Sequence, residues 1–383
     1  MRRMPAASGA GVAVLSLLSL NACEVREGTA DSPLNWTFTP TLRLGSTSGP
    51  DALYGVDEHS ITLGPEGSFV VLDKGNYRVL TFDPNGTLVG EFGSQGEGPA
   101  AFGYPVAILG PRNDTIRVLD GPSSSYKVFD SGGEFLGQEP VDAIFELRNR
   151  QRLVEGGTVI MREVGYRSDG PTVSDQVLLV RGQGDTLALA TLVKRARGDL
   201  AVPECGILSI SVSPLFDPAL VWDAMSDVVA VNNQPEYVIQ IFEGGTSSRL
   251  LERPIEAVAV SREDALRRIG EGSTVGLVAS APCRLDPVEE LETRGFEEQR
   301  QVVSAIRVDG DGWIWVRRHA APLSEPDRFV TDVFDPDGAY QGTLPEGSPW
   351  PATFTADGRV VALETDELGI QSFVVYSVGR TGV

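Results

Sequence analysis

Six positions along this chain share one context: each ends a short apolar run that follows a turn. They are Asp73, Asp120, Glu163, Asn232, Arg317 and Glu364. Five of the six carry a side-chain oxygen, and a cluster of such oxygens is the donor set that calcium takes. If the runs converge, Asp73, Asp120, Glu163, Asn232 and Glu364 form a ring able to hold that metal; no other cofactor is expected. The competing use is local, because an aspartate at such a position also accepts hydrogen bonds from the backbone of the next turn. Arg317 breaks the ring and begins a second constellation, Arg317-Arg318-His319, a small basic spot on an acidic chain. Its chemistry would be recognition of a carboxylate or phosphate, the other reading being a solvated loop.

Other chemistries are poorly served. The chain has only two histidines, His59 and His319, too few for a His-rich zinc cluster. It has no Gly-x-Ser-x-Gly elbow, and no catalytic residue is assigned. Asp309-Gly310-Asp311-Gly312 has the start of a calcium loop but lacks the acidic residue that completes one, so it reads as a hairpin turn. Trp313 and Trp315 alternate onto one strand face and read as packing between sheets; a sugar platform would need them exposed.

The elements that must position these residues are short strands. FVVLD, RVLTFD and TLVGEF are rich in β-branched and aromatic residues and are separated by GPEG and DPNG turns. The Asp83-Pro84-Asn85-Gly86 turn is echoed by Asp130-Ser131-Gly132-Gly133 and by Asp335-Pro336-Asp337-Gly338. The spacing is roughly 46 residues, the length of a four-stranded propeller blade, and the chain holds about six such units. The expected fold is an all-β, six-bladed β-propeller of antiparallel four-stranded blades. The final unit has three strands before the chain stops, while residues 36–46 look like the end of a blade with no beginning. Pairing 36–46 with 371–378 closes the ring and removes an exposed edge.

The first unit resembles an NHL repeat through Gly67, Val70-Val71-Leu72-Asp73, Gly75-Asn76-Tyr77-Arg78 and Phe82-Asp83-Pro84-Asn85-Gly86. The match is close over 61–105, looser over 106–140 and 300–378, and rests on strand spacing alone over 145–255. The whole chain is similar to bacterial lipoproteins described as six-bladed β-propellers. That resemblance implies a fold and little about function. Lactonases of the gluconolactonase and paraoxonase type share the blade count and hold a metal in the channel. They supply an alternative reading, a calcium-dependent hydrolase using the acidic ring.

Met1-Arg2-Arg3, the apolar run Ala10 to Leu20 and Leu20-Asn21-Ala22-Cys23 read as a lipoprotein signal peptide over 1–23, with Cys23 lipidated. An ordinary secretory signal containing a cysteine is the other reading. Residues 24–35 are then a tether and 36–383 the propeller. By resemblance to proteobacterial sorting rules, Glu24 rather than Asp after the cysteine implies the outer membrane, facing periplasm or exterior. The chain carries 32 basic and 53 acidic residues, a net charge of −21, which excludes nucleic acid as an expected partner. Cys205 and Cys283 remain and invite a disulfide in an exported protein, the alternative being two buried thiols.

Long segments fall on the rim shared by inter-blade links (93–105, 194–214, 255–301) and second-to-third strand turns (165–175, 318–328). Tight turns fall on the other rim. Binding residues concentrate on loops held by a rigid scaffold, so the loop-rich rim is the expected working face. The 255–301 insert carries two helix signals. Ser261-Arg262-Glu263-Asp264 begins one that Gly270 ends, and Asp286-Pro287 begins another with Val288, Leu291 and Phe296 on one face. The function expected is a binding or scaffolding module for a protein or small ligand at this rim, with the membrane as a partner through the lipid.

Overall fold

The computed structural model describes residues 25–27, 31–112, 114–141, 147–164, 172–182, 185–278, 281–320, 322–323 and 327–380. Cys23 and the signal segment lie outside the described residues. So do 165–171 of one expected rim turn and 321 and 324–326 of another.

Six four-stranded antiparallel blades form the propeller. Blade 1 is built from Ile61–Leu63, Phe69–Asp73, Arg78–Phe82 and Leu88–Phe92. Blades 2 to 5 begin at Pro105, Leu147, Val221 and Val303 and repeat the same up-and-down order. Blade 6 takes Pro351–Phe354, Val360–Thr365 and Gln371–Gly379 from the end of the chain. Its outer strand is Thr37–Leu44, antiparallel to Gln371–Gly379, with Phe38 opposite Val378 and Leu44 opposite Phe373. The closure expected from the sequence is the closure observed.

The hairpins have a local cause. Asp83 Oδ1 accepts from Asn85 N at 2.9 Å and Thr87 N at 2.8 Å, while Gly86 takes φ +82°. Asp130 does the same for Gly132 N and Glu134 N, with Gly133 at φ +86°. Asp309, the apparent start of a calcium loop, accepts from Asp311 N and Trp313 N and is a hairpin turn. Side-chain oxygens replace the backbone partners that a two-residue reversal leaves unmade.

Because a blade is one sheet with two faces, its core lies between blades. Apolar clusters fill the gaps between blades 6 and 1, 1 and 2, 3 and 4, 4 and 5, and 5 and 6. Trp315 is buried in the last of these. Trp36, just before the closing strand, meets the rings of Trp313 and Trp315 edge-on at 5.6 and 5.7 Å.

Around the axis, polar contacts tie each blade to the next. Thr62 Oγ1 donates to Gly110 O (blades 1 and 2), and the Tyr126 hydroxyl donates to Gln151 (blades 2 and 3). Arg152 Nε donates to Asp223 Oδ1 at 2.9 Å (blades 3 and 4), and Val308 N to Asp223 Oδ2 at 3.1 Å (blades 4 and 5). Arg307 Nε donates to Pro351 O at 2.6 Å (blades 5 and 6), and Gln371 of blade 6 holds Val56 ahead of blade 1 through both backbone groups.

Within the tether expected over 24–35, two stretches lie against the blades. Val25–Glu27 pairs in parallel with Leu250–Glu252 on the outer edge of blade 4. Leu34 N donates to Thr343 O and Thr343 N to Ser32 O, both at 2.8 Å, on the edge of blade 5. Unpaired backbone on an outer strand is a ready template for an extended segment. Asp31 adds a carboxylate to the buried set Arg253, Arg318 and Asp332, at 2.8 Å from Arg253 and 2.7 Å from Arg318. Those guanidinium groups hold the Asp31 carboxyl below the usual carboxylate range despite the opposing effect of burial.

Asp223 joins three blades from a buried position. Asp223→Ala strands the Arg152 guanidinium and the Val308 N–H, and is expected to cost about 3 kcal/mol in chemical denaturation, with Asp223→Asn costing less. An Asp223→Ala protein as stable as the parent would refute this role.

Candidate binding site

The insert between blades 4 and 5 forms a roof over the loop-rich rim. Helix α1 spans Arg262–Ile269, capped by Ser261, whose side chain accepts from Asp264 N while Asp264 accepts from Ser261 N. Helix α2 spans Pro287–Arg294 and is capped by Asp286. Its inward face differs from expectation. Leu291 is buried but Val288 is 44% exposed, and Glu290 is fully buried. Glu290 accepts from Ser273 N and Oγ and from Arg294, so the helix anchors through a satisfied carboxylate as well as through apolar contact. Ala265 and Leu291 pack on Leu215, with Phe216 and Phe296 alongside.

Two hairpins complete the roof. Gly198–Val202 with Ile207–Val212 leaves from the blade 3–4 link, and Thr274–Val278 with Ala281–Arg284 belongs to the insert. The Cys205–Cys283 disulfide joins them, as the cysteine count suggested, with Cα atoms 5.7 Å apart.

Beneath α1 lies a cavity of about 270 Å³. Its walls carry Asp217 from the blade 3–4 link, Arg268 from α1, Arg300 from the end of the insert, and Ser304, His319 and Asp327 from blade 5. Arg300 and His319 also face a neighbouring cavity of about 340 Å³ lined by Ile255, Val258, Val302 and Pro322. Arg300 is only 8% exposed, and its NH2 donates to Asp327 Oδ1 at 2.6 Å and to His319 Nδ1. A guanidinium cannot accept, so Nδ1 of a neutral His319 is the acceptor and its proton sits on Nε2. Burial, with Arg300 adjoining, lowers the His319 pKa to about 4, so the ring is neutral near pH 7.

The far wall holds strain and an unmet acceptor. Leu215 exchanges backbone hydrogen bonds with Gly295 and Glu297, and Phe216 follows at φ +57°, a costly conformation for a bulky residue. Asp217 Oδ2 pairs with Lys194 Nζ at 3.2 Å, while Oδ1 is buried without a hydrogen-bond partner. Burial raises the Asp217 pKa and Lys194 opposes the rise.

The structure separates the three residues of the expected basic spot. His319 reaches the cavity. Arg318, on the opposite strand face, is buried against Asp332 and Asp31. Arg317 lies over the Phe329 ring at 4.2 Å and the Trp350 ring at 5.6 Å. Arg268, Arg300, Asp327 and Asp217 carried no motif. The polar run Gln299-Arg300-Gln301 before an apolar strand is the one signal that marked the neighbourhood.

The acidic ring residues are each occupied within reach of their own blade. Asp73 accepts from Tyr54 N, Asn76 Nδ2 and Arg78 Nε, all within 2.9 Å. Asp120 accepts from Gly103 N and Tyr104 N and lies 3.6 Å from Lys127 Nζ. Glu163 is 3.5 Å from Arg197, and Glu364 is bound by Arg43 and the Tyr376 hydroxyl. Asn232 donates to Glu236 O and Val238 O, and accepts from Gln301 behind the cavity. Among the described residues, no three or more His, Cys, Asp or Glu side chains gather as a metal site.

No protein family matches the chain, and no curated protein does. A solved protein described as exported, from Bacteroides fragilis, superposes with a TM-score of 0.52 at 11% identity, covering 93% of this chain and 99% of its own. A DUF4221 member from Bacteroides vulgatus gives 0.44 at 11% identity, with 90% and 99% covered. Regucalcin from Agrobacterium tumefaciens, described as calcium-binding, gives 0.35 at 11% identity, with 90% and 95% covered. The first of these is similar to this chain in fold. Among the described residues, no helix is long and apolar enough to cross a membrane.

The His319 environment predicts a pH dependence. With a folded pKa near 4 and an ordinary value near 6.5, the unfolded chain binds more protons between these limits. The contribution is full above about pH 6.5 and is lost as pH falls toward 4. His319→Gln should flatten the dependence of Tm on pH across that window. An unchanged slope would show that His319 titrates normally.

Proposed function

We propose that this chain is an exported, lipid-anchored β-propeller that binds a small ligand in the roofed cavity at its loop-rich rim. The observation that carries the reading is Arg300, a buried cation on the wall between two cavities, kept in place by Asp327 and His319. Burying a charge is costly unless it is paired, and this one is paired at a wall that a ligand can reach. The strained Phe216 and the helical roof belong to the same place. The Cys205–Cys283 bridge supports export, since such bonds persist in oxidising compartments. The basic start, short apolar run and Cys23 support an acyl anchor at the outer membrane. Binding is favoured over catalysis because the cavity's hydroxyl, Ser304 Oγ, donates to Arg317 O.

The probes that test this reading are acetate, succinate and inorganic phosphate, added to the mature chain in a thermal-unfolding assay. At least one should raise Tm by several degrees at saturating concentration, and Arg300→Gln should abolish the rise. No response of the parent protein to any of the three, or an undiminished response in Arg300→Gln, would overturn the anion-binding cavity.

A further inference from the structure

The second cavity on the Arg300 wall, about 340 Å³, is mostly apolar. Ile255, Val258, Val302, Ala320 and Pro322 supply that lining, beside Arg300 and His319. Its other polar groups are accounted for. Gln301 is spent on Ala219 and Asn232, Val302 N and Ala320 N donate to Pro235 O and Arg328 O, and Glu256 is exposed to water. Arg300 is not spent in the same way. One guanidinium nitrogen donates to Asp327 and His319, while Nε and Nη1 have no acceptor among the described residues and are not sealed from solvent. Asp327 also accepts from Arg268 at 3.4 Å, so one carboxylate serves two guanidinium groups. A cation with open donors at a cavity wall is a seat for an anionic oxygen. The Nε2–H of His319, whose ring lines the same cavity, is a further donor.

The apolar lining starts beside that seat. Val258 and Arg300 are directly opposite each other where Val258–Ala259 pairs with Gln299–Arg300, and opposite residues of paired strands project to one face. A small anion such as acetate meets Arg300 and leaves the apolar lining against water. A molecule with one carboxylate and a short apolar tail meets both, and needs no second charged wall. Resting on the reading of the Arg300 wall as the ligand site, we infer that this site takes a small amphipathic monocarboxylate. The carboxylate sits on Nε and Nη1 of Arg300, and the tail lies against Val258, Val302 and Ile255. Covering that tail removes apolar surface of ligand and protein from water together, which a bare anion cannot do.

The test uses the mature chain and calorimetric titration with acetate, butanoate and hexanoate, with hexan-1-ol as the uncharged control. Each buried CH₂ is worth about 0.8 kcal/mol, about fourfold in affinity. Hexanoate should therefore bind more tightly than acetate by about tenfold or more, with butanoate between them. Hexan-1-ol should bind more weakly than hexanoate by about tenfold or more. Val258→Asn, at a residue 44% exposed and therefore safe for folding, should weaken hexanoate by about fivefold or more and shrink the step from acetate to hexanoate. If acetate binds as tightly as hexanoate, or if Val258→Asn binds hexanoate as the parent does, the apolar tail is overturned and the anion-binding cavity stands. If hexan-1-ol binds as tightly as hexanoate, the carboxylate seat on Arg300 is overturned. Absence of hexanoate binding also overturns the inference, and the cavity reading then rests on the acetate, succinate and phosphate result alone.

Discussion

The pairing of Thr37–Leu44 with Gln371–Gly379 is the constraint on which the rest of this structure depends. Each blade is a sheet with two apolar faces, and neither face is covered within the blade. A ring is the arrangement in which every face finds another blade and no blade is terminal. Joining the two ends of the chain in one sheet makes that ring closed. Trp36 and Leu34 precede the closing strand and pack with Trp315, Val333 and Phe354, so the same segment seals the groove between blades 5 and 6. The cost of bringing such distant residues together grows only slowly with the length of chain between them, while the apolar area covered is large.

A closed ring gives its rim loops fixed neighbours. The polar belt through Thr62, Gln151, Asp223 and Arg307 sets one blade against the next, and the strand ends that bear His319 and Ser304, with the link that bears Asp217, inherit that order. Elaboration is concentrated where blades 3, 4 and 5 meet. Two helices, two hairpins and one disulfide lie over that sector, and the cavity forms where their undersides do not fill the space above the blade edges. Asp73 and Asp120, in the regular blades, serve a different end. They accept backbone N–H groups from the preceding links and hold those links flat, and Asn76 and Arg78 complete the arrangement around Asp73.

Much of this was legible from residues alone, for a physical reason. A strand's alternation, the Asp-x-x-Gly reversal and the capping box act over fewer than about five residues, so their signatures lie side by side in the chain. Blade count, closure, the turn at Asp309 and the helix beginning at Ser261 followed from such signals. The second helix reads with Val288, Leu291 and Phe296 on one face, because apolar residues at helical spacing look like core. The structure turns Glu290 inward, where Ser273 and Arg294 satisfy it, and no local pattern announces such a pair of partners. Residues 24–35 read as a tether because they follow the expected lipidated cysteine and precede the first blade strand. The place of 31–34 on blade 5 depends on Thr343 and two arginines far along the chain.

By itself the sequence determined an all-β ring of six repeated sheets, its closing strand, its acidic surface and the rim on which long loops gather. Each of these is carried by neighbouring residues or by their repetition. Only the tertiary structure decided which charged side chains meet. Arg317, Arg318 and His319 are consecutive, yet strand alternation and the packing of blade 5 send them to an aromatic pair, a buried ion cluster and a cavity wall. Asp217, Arg268, Arg300 and Asp327 are scattered along the chain and share that cavity because blades 3, 4 and 5 are adjacent and the insert folds back over them. Electrostatic contacts form across space, and which residues they join follows from the order of blades around the axis.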